Sequence, residues 1–223
     1  MQQSNRLKSI LYFLITVAGA VAGLFLAISM NRNILPTLSQ PWRAVLAIVI
    51  QWAPALIPIL MAILSQDKLV DLGFRKEKIG CQIGIGILIG ASLSLILTIL
   101  PILFGLKDLI GRNKGYDQAW KYLYELLYCV AGVALSEELV FRGIMFHRVL
   151  AIKDSKVFAI LLSSVAFGLF HVFSGNVVQM LTTALIGAFL CICREKIKNC
   201  SSLSLIFAHG LYDALIVVWC AVL

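Results

Sequence analysis

The sequence predicts an all-α protein: a polytopic transmembrane bundle of about seven spans with a cytoplasmic N-terminus. Three observations carry that expectation. Of 223 residues, 61% are hydrophobic and only 13% charged, where an ordinary soluble domain carries about 25% charged residues. The apolar residues gather into seven runs, approximately 9–30, 43–64, 79–105, 121–146, 157–173, 177–193 and 202–222, and about 20 such residues suffice to cross the hydrocarbon core. The runs are continuous rather than alternating, so the backbone must satisfy itself as helix and not as a membrane barrel.

The first run follows Arg6 and Lys8. It is longer than the 7–15-residue apolar core of a signal peptide, so a retained anchor is expected. Pro54 and Pro58 should bend the second run, because each removes a backbone donor. Pro101 and Gly105 should end the third, and the third and fourth exceed the span length and must tilt, kink or project. Three G-x-x-x-G spacings, Gly19/Gly23, Gly80/Gly84 and Gly86/Gly90, permit close helix contact without requiring it. The loops are too short to fold alone, so a single transmembrane domain over 1–223 is expected, with its motif-bearing core at about 121–223.

The net charge is +8. Its basic residues sit in the short segments between runs, where membrane topology accounts for them, and no basic face on a soluble element points to nucleic acid. With the N-terminus inside, inner segments hold 12 of the 19 Lys and Arg. Outer segments hold Arg32, Arg43, Lys107, Arg112, Lys114 and Lys121. The bias favours N-in and C-out in a multi-pass protein of the cell membrane. Six cysteines without a C-x-x-C pair give no disulfide framework.

Chemistry is concentrated in three clusters on the fourth, fifth and seventh runs. Glu137 and Glu138 lie inside an apolar helix and Arg142 follows. Each costs about 2.5–3.5 kcal/mol at the centre of a spanning helix, which makes such groups functional-site candidates. Residues four apart share a helix face, so Glu138 and Arg142 should pair, while Glu137 points elsewhere with no partner in its own helix. It then either takes up a proton or is held ionised by donors from another helix, and either state suits a general base. His171 ends FGLFH with Phe167 one turn before it; His209 and Asp213 share a face in FAHGLYDAL. A lone histidine after such a run is more often a packed residue with one satisfied nitrogen, and the pair can be a simple structural hydrogen bond. Occurrence together favours one polar site. At ~1.5 Å per residue, Glu137, His209 and His171 stand roughly 14, 10 and 20 Å from the inner ends of their helices, so tilt or a loop-like start to the fifth helix must level them.

These motifs, EELVFR (Glu137 to Arg142), FGLFH (Phe167 to His171) and HGLYD (His209 to Asp213), match E-E-x-x-x-R, F-x-x-x-H and H-x-x-x-N/D in order. The pattern resembles the CPBP family of intramembrane proteases, which groups type 2 CAAX prenyl endopeptidases with bacterial relatives implicated in bacteriocin self-immunity. It covers about residues 121–223, and DLGFRK (Asp71 to Lys76) also looks like a feature of bacterial members. The resemblance implies that Glu137 activates a water, and that His171 and His209 position it and polarise the peptide carbonyl. Glu138 and Arg142 are then structural supports and Phe167 a wall. The last motif position, more often Asn in prenyl-protein members, is Asp213 here, which donates only when protonated.

The resemblance implies an endopeptidase acting on a peptide or protein that enters from the membrane or the cytoplasmic side. No cofactor is expected. The alternative is zinc on His171, His209 and Glu137, since two histidines and a carboxylate can ligate it with water in the fourth position; no H-E-x-x-H occurs. Two further alternatives remain: a non-catalytic membrane immunity or scaffold protein, and a proton-coupled transporter. The transporter reading requires polar groups along a path and inverted repeats, whereas the first three runs carry no acid.

Overall fold

The computed structural model describes residues 2–110, 116–174 and 177–223. Arg112 and Lys114, counted above among outer charges, lie outside the described residues. Each of the seven apolar runs is helical, and no strand occurs among the described residues. The helices are α1 (Gln2–Asn33), α2 (Gln40–Leu64), α3 (Ile79–Leu103), α4 (119–152), α5 (Lys156–Phe170), α6 (Val177–Lys196) and α7 (Ser202–Val222). Five of them, α1, α2, α3, α6 and α7, are long and apolar enough to cross a membrane, and α5 is a shorter apolar helix.

The expected punctuation is visible at Pro54 and Gly105 and differs at Pro101, while Pro58 sits in the first turn of the helical stretch Leu56–Leu64. At Pro54, α2 tightens into a 3-10 turn over Ala53–Ala55, since the missing N–H cannot feed a regular helical bond. Gly105 adopts φ +76, a conformation that costs glycine nothing, just past the end of α3. Pro101 stays inside α3 instead of ending it, and the turns before it widen into a π-helix over Leu95–Ile99. The fourth run is longer than expected as a helix, and α4 accommodates it with two π-helical stretches, Tyr128–Ala134 and Glu138–Met145.

Two of the three small-residue spacings are contact surfaces. A Cβ on Gly19 would meet Ile57 Cγ2 at 2.3 Å and one on Gly23 the Ala53 carbonyl oxygen at 2.2 Å, so α1 lies directly against the kink of α2. On Gly86 and Gly90 it would meet the carbonyl oxygens of Ser204 and Ala208 at 2.5 and 2.7 Å. Helix α3 is therefore pressed backbone to backbone against the part of α7 that carries His209. Gly80 and Gly84 face open space. Gly90→Ala is expected to lower stability by about 1–3 kcal/mol through overpacking, while Gly84→Ala is silent; thermal unfolding in detergent compares them directly.

Below the bundle, the segment 65–78 is fastened at several points. The Gly73 carbonyl accepts from Ser202 N–H at 3.0 Å and the Leu72 carbonyl from Ser202 Oγ at 2.7 Å. Leu72 itself is buried against Ala62 and Ile144. Asp67 is ion-paired to Arg148 of α4, with both side chains nearly buried. DLGFRK is thus a packed element and not a free loop. At the other end, Tyr116 Oη donates to buried Glu125 of α4 at 2.6 Å. Burial first, then this bond, pushes the Tyr116 phenol above its ordinary pKa.

Candidate active site

Helix α4 supplies both acids. Glu137 closes a short α-helical segment and Glu138 opens the second wide-turned stretch, a helical form found often at functional sites. Glu138 is fully buried, and Arg142 Nη1 lies 3.0 Å from its Oε1, with the guanidinium equally buried. This is the pair that the four-residue spacing requires. The same Oε1 accepts a hydrogen bond from His209 Nδ1 at 2.8 Å.

That bond orients the imidazole. With Nδ1 on Glu138, Nε2 lies 3.7 Å from Glu137 Oε2 and 3.6 Å from Asp213 Oδ2. The two adjacent acids, which diverge on their own helix, therefore flank one ring from α7, each near a different nitrogen. Glu137 Oε2 is buried and has no hydrogen-bond partner among the described residues. Contacts of 3.6–3.7 Å are too long for direct hydrogen bonds and suit a bridging water.

His171 caps the C-terminal end of α5, and its Nδ1 lies 2.9 Å from the Phe167 carbonyl oxygen. A carbonyl only accepts, so Nδ1 carries the proton and chemistry falls to Nε2. His171, His209, Asp213 and Arg142 all act electrostatically on the Glu137 carboxylate. His171 stands at the C-terminal end of α5, immediately before a 3-10 turn.

Phe167 does more than wall the site. Its buried ring contacts His171 at 4.9 Å and His209 at 5.9 Å between centroids, both edge-on, and Arg142 stacks 3.8 Å from its centroid. One aromatic ring thus spaces both histidines and carries the buried cation.

Among the described residues no three His, Cys, Asp or Glu side chains are arranged to hold a metal ion. Both histidines place Nδ1 on an acceptor, Glu138 for His209 and the Phe167 carbonyl for His171, so any further role of either ring falls to Nε2. As placed, the side chains do not form the zinc ligand set His171, His209 and Glu137.

Sequence reasoning missed the supports from outside the motifs. Trp52 Nε1 donates to the Ala131 carbonyl at 3.0 Å, and Gln51 Nε2 to Tyr128 Oη at 2.7 Å, tying the kink of α2 to the first wide stretch of α4. Arg194, read only as an inner charge, donates from Nη1 to the Arg142 carbonyl at 2.6 Å. It lies directly after the apolar run 177–193, where topology alone accounted for its charge.

Residues 119–215 match the family model described as type II CAAX prenyl endopeptidase Rce1-like. Searches of curated proteins and of solved structures found no match. The matched segment begins at the first residue of α4 and ends two residues beyond Asp213, so it contains the whole cluster. That segment is similar to the CPBP, CAAX protease-like family, and the match supports, in general, a membrane protein with intramembrane protease activity of the CAAX type.

Proposed function

We propose that the chain is an endopeptidase of the cell membrane, with its N-terminus cytoplasmic, in which Glu137 activates a water without a metal. The observation that carries this reading is the buried Glu137 Oε2, without a hydrogen-bond partner among the described residues and 3.7 Å from His209 Nε2. A water between the two would give its proton to Glu137 as its oxygen attacks the peptide carbonyl carbon. His171 and His209, in the doubly protonated form in which Nε2 also carries an N–H, would stabilise the charge that develops on the carbonyl oxygen. Glu137 then returns the proton to the leaving nitrogen as the C–N bond breaks. Asp213 borders the same His209 nitrogen and helps to hold the water. The substrate is a peptide or protein segment that reaches the site from the bilayer or the cytoplasm.

The test is digestion of a peptide library by purified protein, wild type beside Glu137→Ala, with and without a strong chelator. The expected result is cleavage by wild type that is reduced about 10²–10⁴-fold in the variant, the range that a general base contributes, and is indifferent to chelator. Loss in both arms transfers the role to a metal. Equal cleavage by wild type and variant removes Glu137 from the chemistry.

A further inference from the structure

Helix α6 carries none of the three motifs, yet it touches their centre twice. Arg142 is fully buried, and none of its guanidinium nitrogens meets hydrogen-bond geometry with a described residue. The ion pair to Glu138 and the Phe167 ring hold it, and neither fixes the fork tightly. The remaining constraint comes from α6. A Cβ on Gly187 would stand 2.9 Å from Arg142 Nη2 and 3.2 Å from Phe167 Cδ1, so the guanidinium and the ring occupy the space that only glycine leaves. Two turns later, Arg194 Nη1 holds the Arg142 carbonyl at 2.6 Å.

Arg194 is itself placed. It is largely buried, lies 4.4 Å from the Phe146 ring and 3.5 Å from Glu195, and passes beside Gly73. Gly73 adopts φ +85, and a Cβ there would stand 3.1 Å from Arg194 Nη1. The packed segment DLGFRK and α6 therefore meet at Arg194, and Arg194 meets the backbone of Arg142.

We infer that Arg194 and Gly187 are positioning residues for the reaction, acting through Arg142 on Glu138 and so on His209. The chain of contacts is continuous: Arg194 and Gly187 to Arg142, Arg142 to Glu138 at 3.0 Å, and Glu138 to His209 Nδ1 at 2.8 Å. Its catalytic consequence rests on the protease reading above. Its structural half does not.

Two readouts test it on the full-length protein in detergent. The first is the Arg142 side-chain Nε–Hε resonance of 15N-arginine-labelled protein, assigned by its loss in Arg142→Lys; stacking on the Phe167 ring gives it a displaced shift. Gly187→Ala and Arg194→Met are expected to move it, and Arg194→Lys, which keeps a donor for the carbonyl, to leave it in place. The second is kcat and KM on a library peptide that wild type cleaves. Gly187→Ala and Arg194→Met should lower kcat by about ten-fold or more, since displacement on the scale of 1 Å costs up to about 10²-fold, with KM little changed and Arg194→Lys restoring kcat. The two variants approach Arg142 from different sides, so one that fails to fold leaves the other to decide. A resonance unmoved in the folded variants, or kcat unchanged where the resonance has moved, overturns the inference. Failure of the protease reading shows separately, as wild type and Glu137→Ala behaving alike, and the arginine resonance then still decides whether α6 sets the pose of Arg142.

Discussion

Glu137→Gln and Glu138→Gln, isosteric changes at adjacent positions, are expected to fail in different ways. The ion pair of Glu137 with His209 spans 3.7 Å, beyond hydrogen-bond reach, and 15% of the Glu137 side chain is exposed. Its amide should therefore leave the melting temperature near that of wild type. Cleavage should still fall by about 10²–10⁴-fold, because an amide cannot take a proton from water. Glu138 is the counter-charge of a fully buried guanidinium and the acceptor for His209. Its amide leaves Arg142 buried without a compensating charge, the one-sided loss that costs about 3–5 kcal/mol. The melting temperature should drop markedly, and cleavage should fall with it. Differential scanning fluorimetry and the peptide digest, run on both variants, separate the cases. Equal melting temperatures for the two would mean that Glu138 is not the structural partner its contacts indicate.

Asp67→Ala is the second large effect expected. Asp67 belongs to the segment after α2 and pairs with Arg148 of α4, their side chains only 5% and 7% exposed. His147 Nε2 lies 3.8 Å from the same carboxylate, and the Arg148 guanidinium stands 5.6 Å from the Tyr12 ring of α1. One carboxylate thus joins the segment below the bundle to the motif helix and, through Arg148, to α1. Its removal should cost about 3 kcal/mol, the lower end of the range for breaking a buried pair, since a little of Arg148 still reaches solvent. The double variant Asp67→Ala/Arg148→Met should recover most of the loss, because replacing both charges removes the uncompensated one. Chemical unfolding of wild type, the single variant and the double variant decides the matter. A double variant no more stable than Asp67→Ala would place the cost elsewhere.

What was legible in the sequence was what one helix encodes. Glu138 with Arg142, Phe167 with His171, and His209 with Asp213 are pairs at a spacing of four, and each is found in contact. Turn chemistry at Pro54 and Gly105 was legible for the same reason, since both act on their own neighbours. What joins the helices was not. Nothing in the order of residues says that His209 will turn one nitrogen to Glu138 and the other toward Glu137. Gly80/Gly84 and Gly86/Gly90 read alike as spacings, yet one pair faces open space and the other the backbone of α7. Asp67 with Arg148, and Arg194 with Arg142, are separated by most of a helical hairpin or more, and their charges had a sufficient explanation in topology. Pro101 marks where local reasoning overreached. A missing donor can be absorbed by a widened turn as well as by an end.

The widened turns of α4 have a bearing on how this chain can change. A regular helix advances about 100° per residue, whereas a stretch bonded over five residues advances less, so each wide stretch in α4 resets the phase between its two ends. The stretch Tyr128–Ala134 lies between Tyr124, whose Oη donates to the Ala44 carbonyl at 2.8 Å, and the acids that face α7, so it sets the azimuth of those acids relative to that end of α4. A lineage that lost one residue there would keep an unbroken, better-bonded helix and lose the alignment of its carboxylates. The same place could take up an inserted residue and re-aim Glu137 without disturbing the rest of the bundle.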